Sequence, residues 1–187
     1  MDQHTDAACP TPAARTPRQW ALARAVSEID DHVAAAGWDG PAYVFALIRT
    51  ADALAADPTF AAEAPADLKE QAEGDPEHLT AVAQDELPAA EDLETLLAQL
   101  AWPPTVAGVA VSVERVVLPP EAEAELGPQA SVEECLAHPA REDVRMIVGV
   151  LRTEETWSVI RMRHQDDVVG AENLVPDLAQ ALLATLN

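Results

Sequence analysis

Three arginines and a tryptophan in the second half of the chain are the residues best suited to binding chemistry. Arg152, Arg161 and Arg163 flank Trp157, and Arg115 extends the set from a neighbouring segment. Guanidinium groups held in a row on a rigid sheet bind carboxylates or phosphates through paired hydrogen bonds. The pattern therefore predicts a surface for an acidic peptide or another anionic ligand. The alternative, and the commoner fate of arginines in an acidic chain, is weak ion pairing with the protein's own carboxylates.

A second grouping predicts a pocket at the end of the same stretch. Arg145, Arg161, Arg163 and His164 would surround an anionic substrate or small ligand if their side chains converged on a concave surface. This convergence requires a strand register different from the one predicted below, or a loop that folds over the sheet. On the predicted register His164 faces Arg145, so a structural role at the sheet edge is the alternative.

Metal-ligating and catalytic motifs are the next possibility. His164 begins an H-x-D-D run with Asp166 and Asp167, but a metal site needs three or four converging ligands, so we predict none. Cys9 and Cys135 are isolated thiols, which fit a reducing cytoplasm. The chain has no G-x-S-x-G sequence and no glycine-rich nucleotide motif. We therefore predict no catalytic residues and no cofactor, and we favour a protein that is not an enzyme.

A β-hairpin over residues 143–164 has to position the arginines. Apolar and β-branched residues alternate on both sides of a four-residue polar break, which is typical of two antiparallel strands. A two-residue turn at Glu154 and Glu155 predicts that Arg152 lies opposite Trp157. The predicted core face then carries Ile147, Leu151, Ile160 and Met162. The opposite face carries the arginines and Trp157, with Met146, Val148, Val150 and Val159.

The remaining segments predict an α+β protein. Helices are expected at 16–37, 50–56, 91–100 and 131–138 and from Leu174 onward, and strands at 42–49 and 106–117. A helix from Pro41 is the alternative for the first strand, and residues 165–172 are expected to form a polar loop. We predict an antiparallel sheet of four or five strands with helices packed mainly on one face.

The domain organisation follows from composition. Residues 1–15 lack periodicity and are predicted to be a disordered tail, whereas residues 16–187 are predicted to form one domain. Residues 61–90 are rich in Ala, Asp, Glu and Pro, which predicts an irregular acidic insert with a possible edge strand at 78–84.

The net charge limits the possible partners. The chain has 11 lysines and arginines against 33 aspartates and glutamates, a formal charge of −22. Such a charge repels nucleic acid and anionic lipid surfaces, so neither is an expected partner. There is no apolar run of about 18 residues and no signal-peptide pattern. We expect a soluble cytoplasmic protein.

Several short motifs carry a resemblance to a known family. They are Gly37-Trp38-Asp39-Gly40-Pro41, Ala101-Trp102-Pro103, Val113-Glu114-Arg115, Leu118-Pro119-Pro120, Val144-Arg145-Met146, Val150-Leu151-Arg152, Arg161-Met162-Arg163-His164 with Asp166-Asp167, and Leu174-Val175-Pro176. As a set they resemble a family of small acidic actinobacterial proteins of unknown function over residues 18–187. The resemblance implies an intracellular protein without an assigned activity, cofactor or catalytic residues. The element order is also similar to the secretion-chaperone-like α+β fold, which often dimerises.

These observations together predict a function class. We expect a non-enzymatic cytoplasmic interaction protein, adaptor-like or chaperone-like, that binds another protein or a second copy through its sheet face or the helix beside it. The alternative is a small-ligand module or enzyme that acts on an anionic substrate through the arginine and histidine patch. A third possibility, based on charge alone, is an acidic mimic that occupies a basic nucleic-acid-binding partner.

Overall fold

Strands with alternating apolar residues form one antiparallel sheet in the computed structural model, which describes residues 14–165 and 167–187. The six strands in these ranges are β1 Tyr43–Arg49, β2 Leu79–Ala83, β3 Gly108–Val117, β4 Glu142–Leu151, β5 Thr156–Met162 and β6 Val168–Ala171. They pair in the order β2-β1-β3-β4-β5-β6, and each neighbouring pair is antiparallel. The α+β class is confirmed, but the sheet has six strands rather than the four or five predicted.

The same described ranges contain eight helices. These are α1 Pro17–Ala36, α2 Thr50–Ala56, α3 Pro58–Glu63, α4 Ala66–Gly74, α5 Leu93–Ala98, α6 Pro120–Leu126, α7 Val132–Ala137 and α8 Pro176–Thr185. At the start of α1 the Thr16 hydroxyl accepts the Gln19 backbone N–H, and the Gln19 side chain accepts the Thr16 N–H. Gly37, at a φ of 90°, ends this helix, as its sequence position predicted.

Helices cover both faces of the sheet. On one face α1 packs its apolar side against a buried cluster that includes Phe45, Leu47, Ile147, Leu151, Trp157 and Val159. On the other face α5 and α8 pack on Val109, Val111, Val148 and Val150. The prediction of helices mainly on one face is therefore wrong. Central strands that are apolar on both sides must be covered on both sides, as the composition of β3 already indicated.

The β4–β5 hairpin has a register that differs from the prediction. Trp157 pairs with Gly149 rather than with Arg152, a shift of three residues. The connection is a three-residue loop in which the Glu154 N–H donates to the Leu151 carbonyl at 2.9 Å, and Glu154 has a φ of 73°. An odd shift in register moves every side chain of β5 to the opposite face relative to the side chains of β4. Trp157 therefore lies on the α1 face with Ile147 and Leu151, and Ile160 and Met162 lie on the other face.

Two strands lie where the sequence pattern was weakest. The edge strand expected within 78–84 is present as β2, whereas β6 lies in the stretch predicted to be a polar loop. Residues 61–90, predicted to be an irregular insert, contain the end of α3, all of α4 and β2. Of the predicted tail, residues 1–13 lie outside the described residues.

Candidate functional site

Arg152 bonds the backbone of its own chain. In the loop between β4 and β5, its Nε donates to the Val106 carbonyl at 2.8 Å, and its Nη2 donates to the carbonyls of Trp102 and Pro103 at 3.1 and 3.2 Å. Its Nη1 donates to the carbonyl of Leu186, just after the end of α8. A cation at this position also complements the negative end of the helix dipole. These bonds tie the hairpin to the loop before β3 and to the C-terminal helix.

Trp157 lies on the α1 face of the sheet and is covered by an arginine. The guanidinium carbon of Arg15 lies 4.4 Å from the centroid of the Trp157 ring and 4.8 Å from that of Trp20. Trp157 is 6% exposed, whereas Trp20 on α1 is 54% exposed. The Nε of Arg15 lies 3.9 Å from a carboxylate oxygen of Glu172. We call Trp20, Trp157 and Glu172 the indole site, because two indole rings and one carboxylate surround this guanidinium.

Arg145 lies at the far end of the same face and is the most deeply buried cation among the described residues, at 1% exposure. Its Nη2 donates to Glu114 at 2.7 Å and to the carbonyl of Gly37. Its guanidinium carbon lies 4.5 Å from the centroid of the Trp38 ring, a cation–π contact. Within the described part of the chain, its Nε and Nη1 have no hydrogen-bond partner.

Arg163 forms a two-pronged ion pair with the loop that follows α1. Its two terminal nitrogens donate to the two carboxylate oxygens of Asp39 at 2.8 and 2.7 Å, and Asp143 lies 3.7 Å away. The hydrogen bonds from Arg163 hold the pKa of Asp39 below its usual range, and the same bonds raise the pKa of Arg163. The Asp39 N–H in turn donates to Glu114 at 2.8 Å. The pair therefore joins the loop to β3 and to the end of β5.

Arg161 completes what we call the arginine cluster, Arg145, Arg161 and Arg163. Its Nε lies 3.1 and 3.2 Å from the two carboxylate oxygens of Asp30, a residue of α1 that is 3% exposed. Arg145 and Arg161 are direct partners in the β4–β5 ladder, so the observed register brings together the arginines of the second predicted grouping. In the described residues this cluster contacts the carboxylates of Asp30, Asp39, Glu114 and Asp143. An anionic ligand would have to displace them.

His164 lies outside this ion-pair network. It is exposed in the turn after β5 and shares a shallow depression of about 320 Å³ with Arg141 and Arg163. Asp166 of the H-x-D-D run lies outside the described residues. Among the residues that the structure describes, no group of three or more His, Cys, Asp or Glu side chains is placed to hold a metal ion.

Arg115 lies on the opposite face of the sheet and borders an apolar groove of about 760 Å³ between α5 and α8. We call this opening the α5–α8 groove. Its apolar walls are Leu93, Leu97, Ala98, Leu100, Leu178, Ala181 and Ala184, and its polar lining comes from Asp92, Glu94, Arg115, Asp177 and Thr185. Both helices were predicted from the sequence. Their pairing was not, because residues 93–98 and 176–185 meet only through the tertiary fold.

The predicted binding surface therefore does not exist as one surface. Arg152 lies at the hairpin loop, Trp157 lies under α1, and Arg115 lies on the face that α5 and α8 cover. Arg161 and Arg163 do lie together, and both make ion pairs with the chain's own carboxylates, which was the alternative considered. The incorrect hairpin register is the source of this error.

The fold and these contacts define a three-layer α+β protein with a tightly ion-paired sheet end and a separate helix-bounded apolar groove. The chain belongs to the PPA1309-like protein family, whose model matches residues 22–187. This match confirms the predicted resemblance at the level of an uncharacterised family over nearly the same span. No curated protein and no solved structure matches the chain. None of the helices in residues 14–165 and 167–187 has the length and apolar character needed to cross a membrane.

Proposed function

We propose that this protein is a non-enzymatic interaction protein that binds a basic amphipathic helix of another protein in the α5–α8 groove. The observation that carries the proposal is the groove itself, about 760 Å³ in volume, with apolar walls and an acidic rim. The proposal keeps the predicted partner class, another protein, and moves the binding surface from the arginine face to the C-terminal helix.

The spacing of the wall residues supports a helical partner. Leu93, Leu97 and Leu100 recur at intervals of four and three residues along and just beyond α5, while Leu178, Ala181 and Ala184 recur at intervals of three on α8. The two rows border one opening, and the small alanines of the second row leave space between them. An amphipathic helix fills such a groove with residues at positions i, i+3 or i+4, and i+7.

The rim charges support a basic partner. The exposed carboxylates of Asp92, Glu94 and Asp177 border the groove beside a single arginine, Arg115. The chain as a whole carries a formal charge of −22, which attracts a basic protein from a distance and disfavours nucleic acid. A basic nucleic-acid-binding protein, the third predicted possibility, falls within this partner class. The isolated cysteines remain the reason to place the encounter in the cytoplasm.

The second predicted function, action on an anionic substrate, gains no support from the arginine cluster. Its guanidiniums contact four carboxylates of the described chain, which give the site a net negative character. An adaptor-like or chaperone-like role is compatible with a groove that accepts amphipathic helices. Self-association is disfavoured because two copies of this groove bring together two acidic rims.

A designed peptide tests the proposal without knowledge of the natural partner. The probe is a fluorescent helix of about five turns with one leucine stripe and lysines on its other faces, and its matched control carries glutamates in place of the lysines. Fluorescence anisotropy should detect binding of the lysine helix, and the affinity should fall as salt is raised. Absence of binding, or equal affinity for both helices, would overturn the proposal.

Ala181→Trp provides the matched variant within the protein. Ala181 is an exposed wall residue of α8, and a tryptophan there would fill the groove. The control position is Ala35, an exposed residue of α1 on the other side of the sheet. Ala181→Trp should weaken binding of the lysine helix at least tenfold, whereas Ala35→Trp should leave it unchanged. Equal affinities for the two variants would place the binding surface elsewhere.

A further inference from the structure

The indole site is the second feature of the molecule that has the chemistry of a binding site. We propose that Trp20, Trp157 and Glu172 form a receptor for an arginine side chain of another protein, and that Arg15 of the chain itself occupies this receptor until the partner arrives. The site lies on the α1 face of the sheet, opposite the α5–α8 groove, and the proposal is independent of the function proposed above.

The geometry is that of a cation in contact with two aromatic rings. The Arg15 guanidinium carbon lies 4.4 and 4.8 Å from the two ring centroids, within the distance of about 6 Å over which a ring face attracts a cation. Glu172 adds a carboxylate 3.9 Å from the Arg15 Nε. Flat rings stack on a flat guanidinium, so the site suits arginine better than lysine.

Neighbouring residues leave room for the guanidinium. A Cβ added at Gly170 would lie 3.5 Å from both Cζ2 and Nε1 of Trp157, an ordinary contact distance, so the glycine leaves this edge of the ring without a covering side chain from position 170. Trp20 is 54% exposed, an unusual state for so large an apolar side chain. A partner can therefore approach the site from the solvent side of Trp20.

Arg15 is well placed to act as an internal competitor. It precedes α1 by two positions, and residues 14–16 belong to no helix or strand. Apart from the ion pair with Glu172 and the two ring contacts, its side chain makes no further hydrogen bond or ion pair among the described residues. Because Arg15 is tethered beside the site, its effective concentration there is high, which raises the apparent dissociation constant of any competing arginine.

The test uses the full chain and argininamide, which carries the guanidinium without a carboxylate. Titration followed by tryptophan fluorescence should show at least tenfold tighter binding to Arg15→Ala than to the wild type. Arg18→Ala is the matched control. Arg18 lies three residues after Arg15 and pairs with Glu77, so its removal should leave argininamide binding as in the wild type. In the Arg15→Ala background, Trp20→Leu should abolish binding and the change Glu172→Gln should weaken it.

Three outcomes would overturn the inference. One is that argininamide binds Arg15→Ala no more tightly than it binds Arg18→Ala, which would make Arg15 a cover for Trp157 and nothing else. Another is that lysinamide binds as tightly as argininamide, which would reduce the site to a general attraction for cations. If Arg15→Ala fails to fold, Arg15→Gln retains side-chain volume over the rings, and the same comparison applies to it. Retained argininamide binding after Trp20→Leu would likewise exclude the indole site.

Discussion

Replacement of Arg152 by alanine should destabilise the fold rather than remove a binding surface. The guanidinium donates to four backbone carbonyls, of which those of Val106 and Leu186 belong to part-buried bonds and those of Trp102 and Pro103 to exposed bonds. Water can replace the exposed bonds, so only the part-buried bonds are counted. At the lower end of the range for bonds to charged groups, about 1.5 kcal/mol each, their loss costs about 3 kcal/mol. For a chain of this size that lowers the melting temperature by about 6–12 °C.

Urea unfolding followed by circular dichroism measures this loss. Arg152→Lys keeps the charge and loses the planar fork, so it should fall between the alanine variant and the wild type. Arg115→Ala is the matched control, because Arg115 is exposed and donates only to the adjacent carbonyl of Glu114 in the described contacts. A stability of Arg152→Ala within about 0.5 kcal/mol of the control, the usual range for surface substitutions, would refute the structural role of this arginine.

Two further substitutions test the α1 face. Because Arg163 lowers the pKa of Asp39 below 3.8, its ion pair stabilises the fold above that pH and the contribution is lost as the pH falls through the lowered pKa. The difference in unfolding free energy between the wild type and Asp39→Asn should therefore be constant from about pH 5 to 7 and shrink as the pH falls below about 4; a difference that does not shrink on acidification would contradict this. Gly149→Ala would place a Cβ 2.5 Å from a side-chain carbon of Val26 and 3.1 Å from one of Leu22. This overpacking should lower the free energy of unfolding, measured by urea titration, by about 1–3 kcal/mol. An unchanged urea midpoint would show that α1 can move away from the sheet.

Local signals in the sequence were reliable where one segment determines its own structure. The predicted helix starts at Thr16 and Ser131 are confirmed, and each residue forms a capping box with the residue three positions later. The apolar stretch ending at Val117 is a central strand, as its two apolar faces indicated. Each of these features depends on neighbours within a few residues, which a single sequence displays directly.

The hairpin register was not accessible in this way. A two-residue hairpin turn at Glu154 and Glu155 would need a positive φ at Glu154, and the observed three-residue loop also has one there, at 73°, so the residue types of the turn do not distinguish the two connections. Burial decides between them, because only the observed register places Trp157 beside Ile147 beneath α1. That packing is a tertiary effect. Because the predicted register was wrong, the arginine surface predicted from it was also wrong.

The candidate sites were only partly predictable for the same reason. The importance of Trp157 and the ion pairing of the arginines could be inferred from residue type and net charge. The indole site requires Trp20, which lies in α1 far from Trp157 in the sequence, and Glu172, which follows the strand β6 that the sequence did not predict. The α5–α8 groove likewise joins segments that are about 80 residues apart. Long-range contacts of this kind leave no periodic signal in either segment.

The most direct test of the central claim is backbone amide hydrogen exchange, measured with and without the bound lysine helix. The claim is that the α5–α8 groove is the interaction surface. The account predicts slower exchange in residues 93–100 and 176–187 on addition of the helix, with α1 and β6 unchanged. Protection confined to α1 or β6, with α5 and α8 exchanging as in the unbound protein, would contradict it.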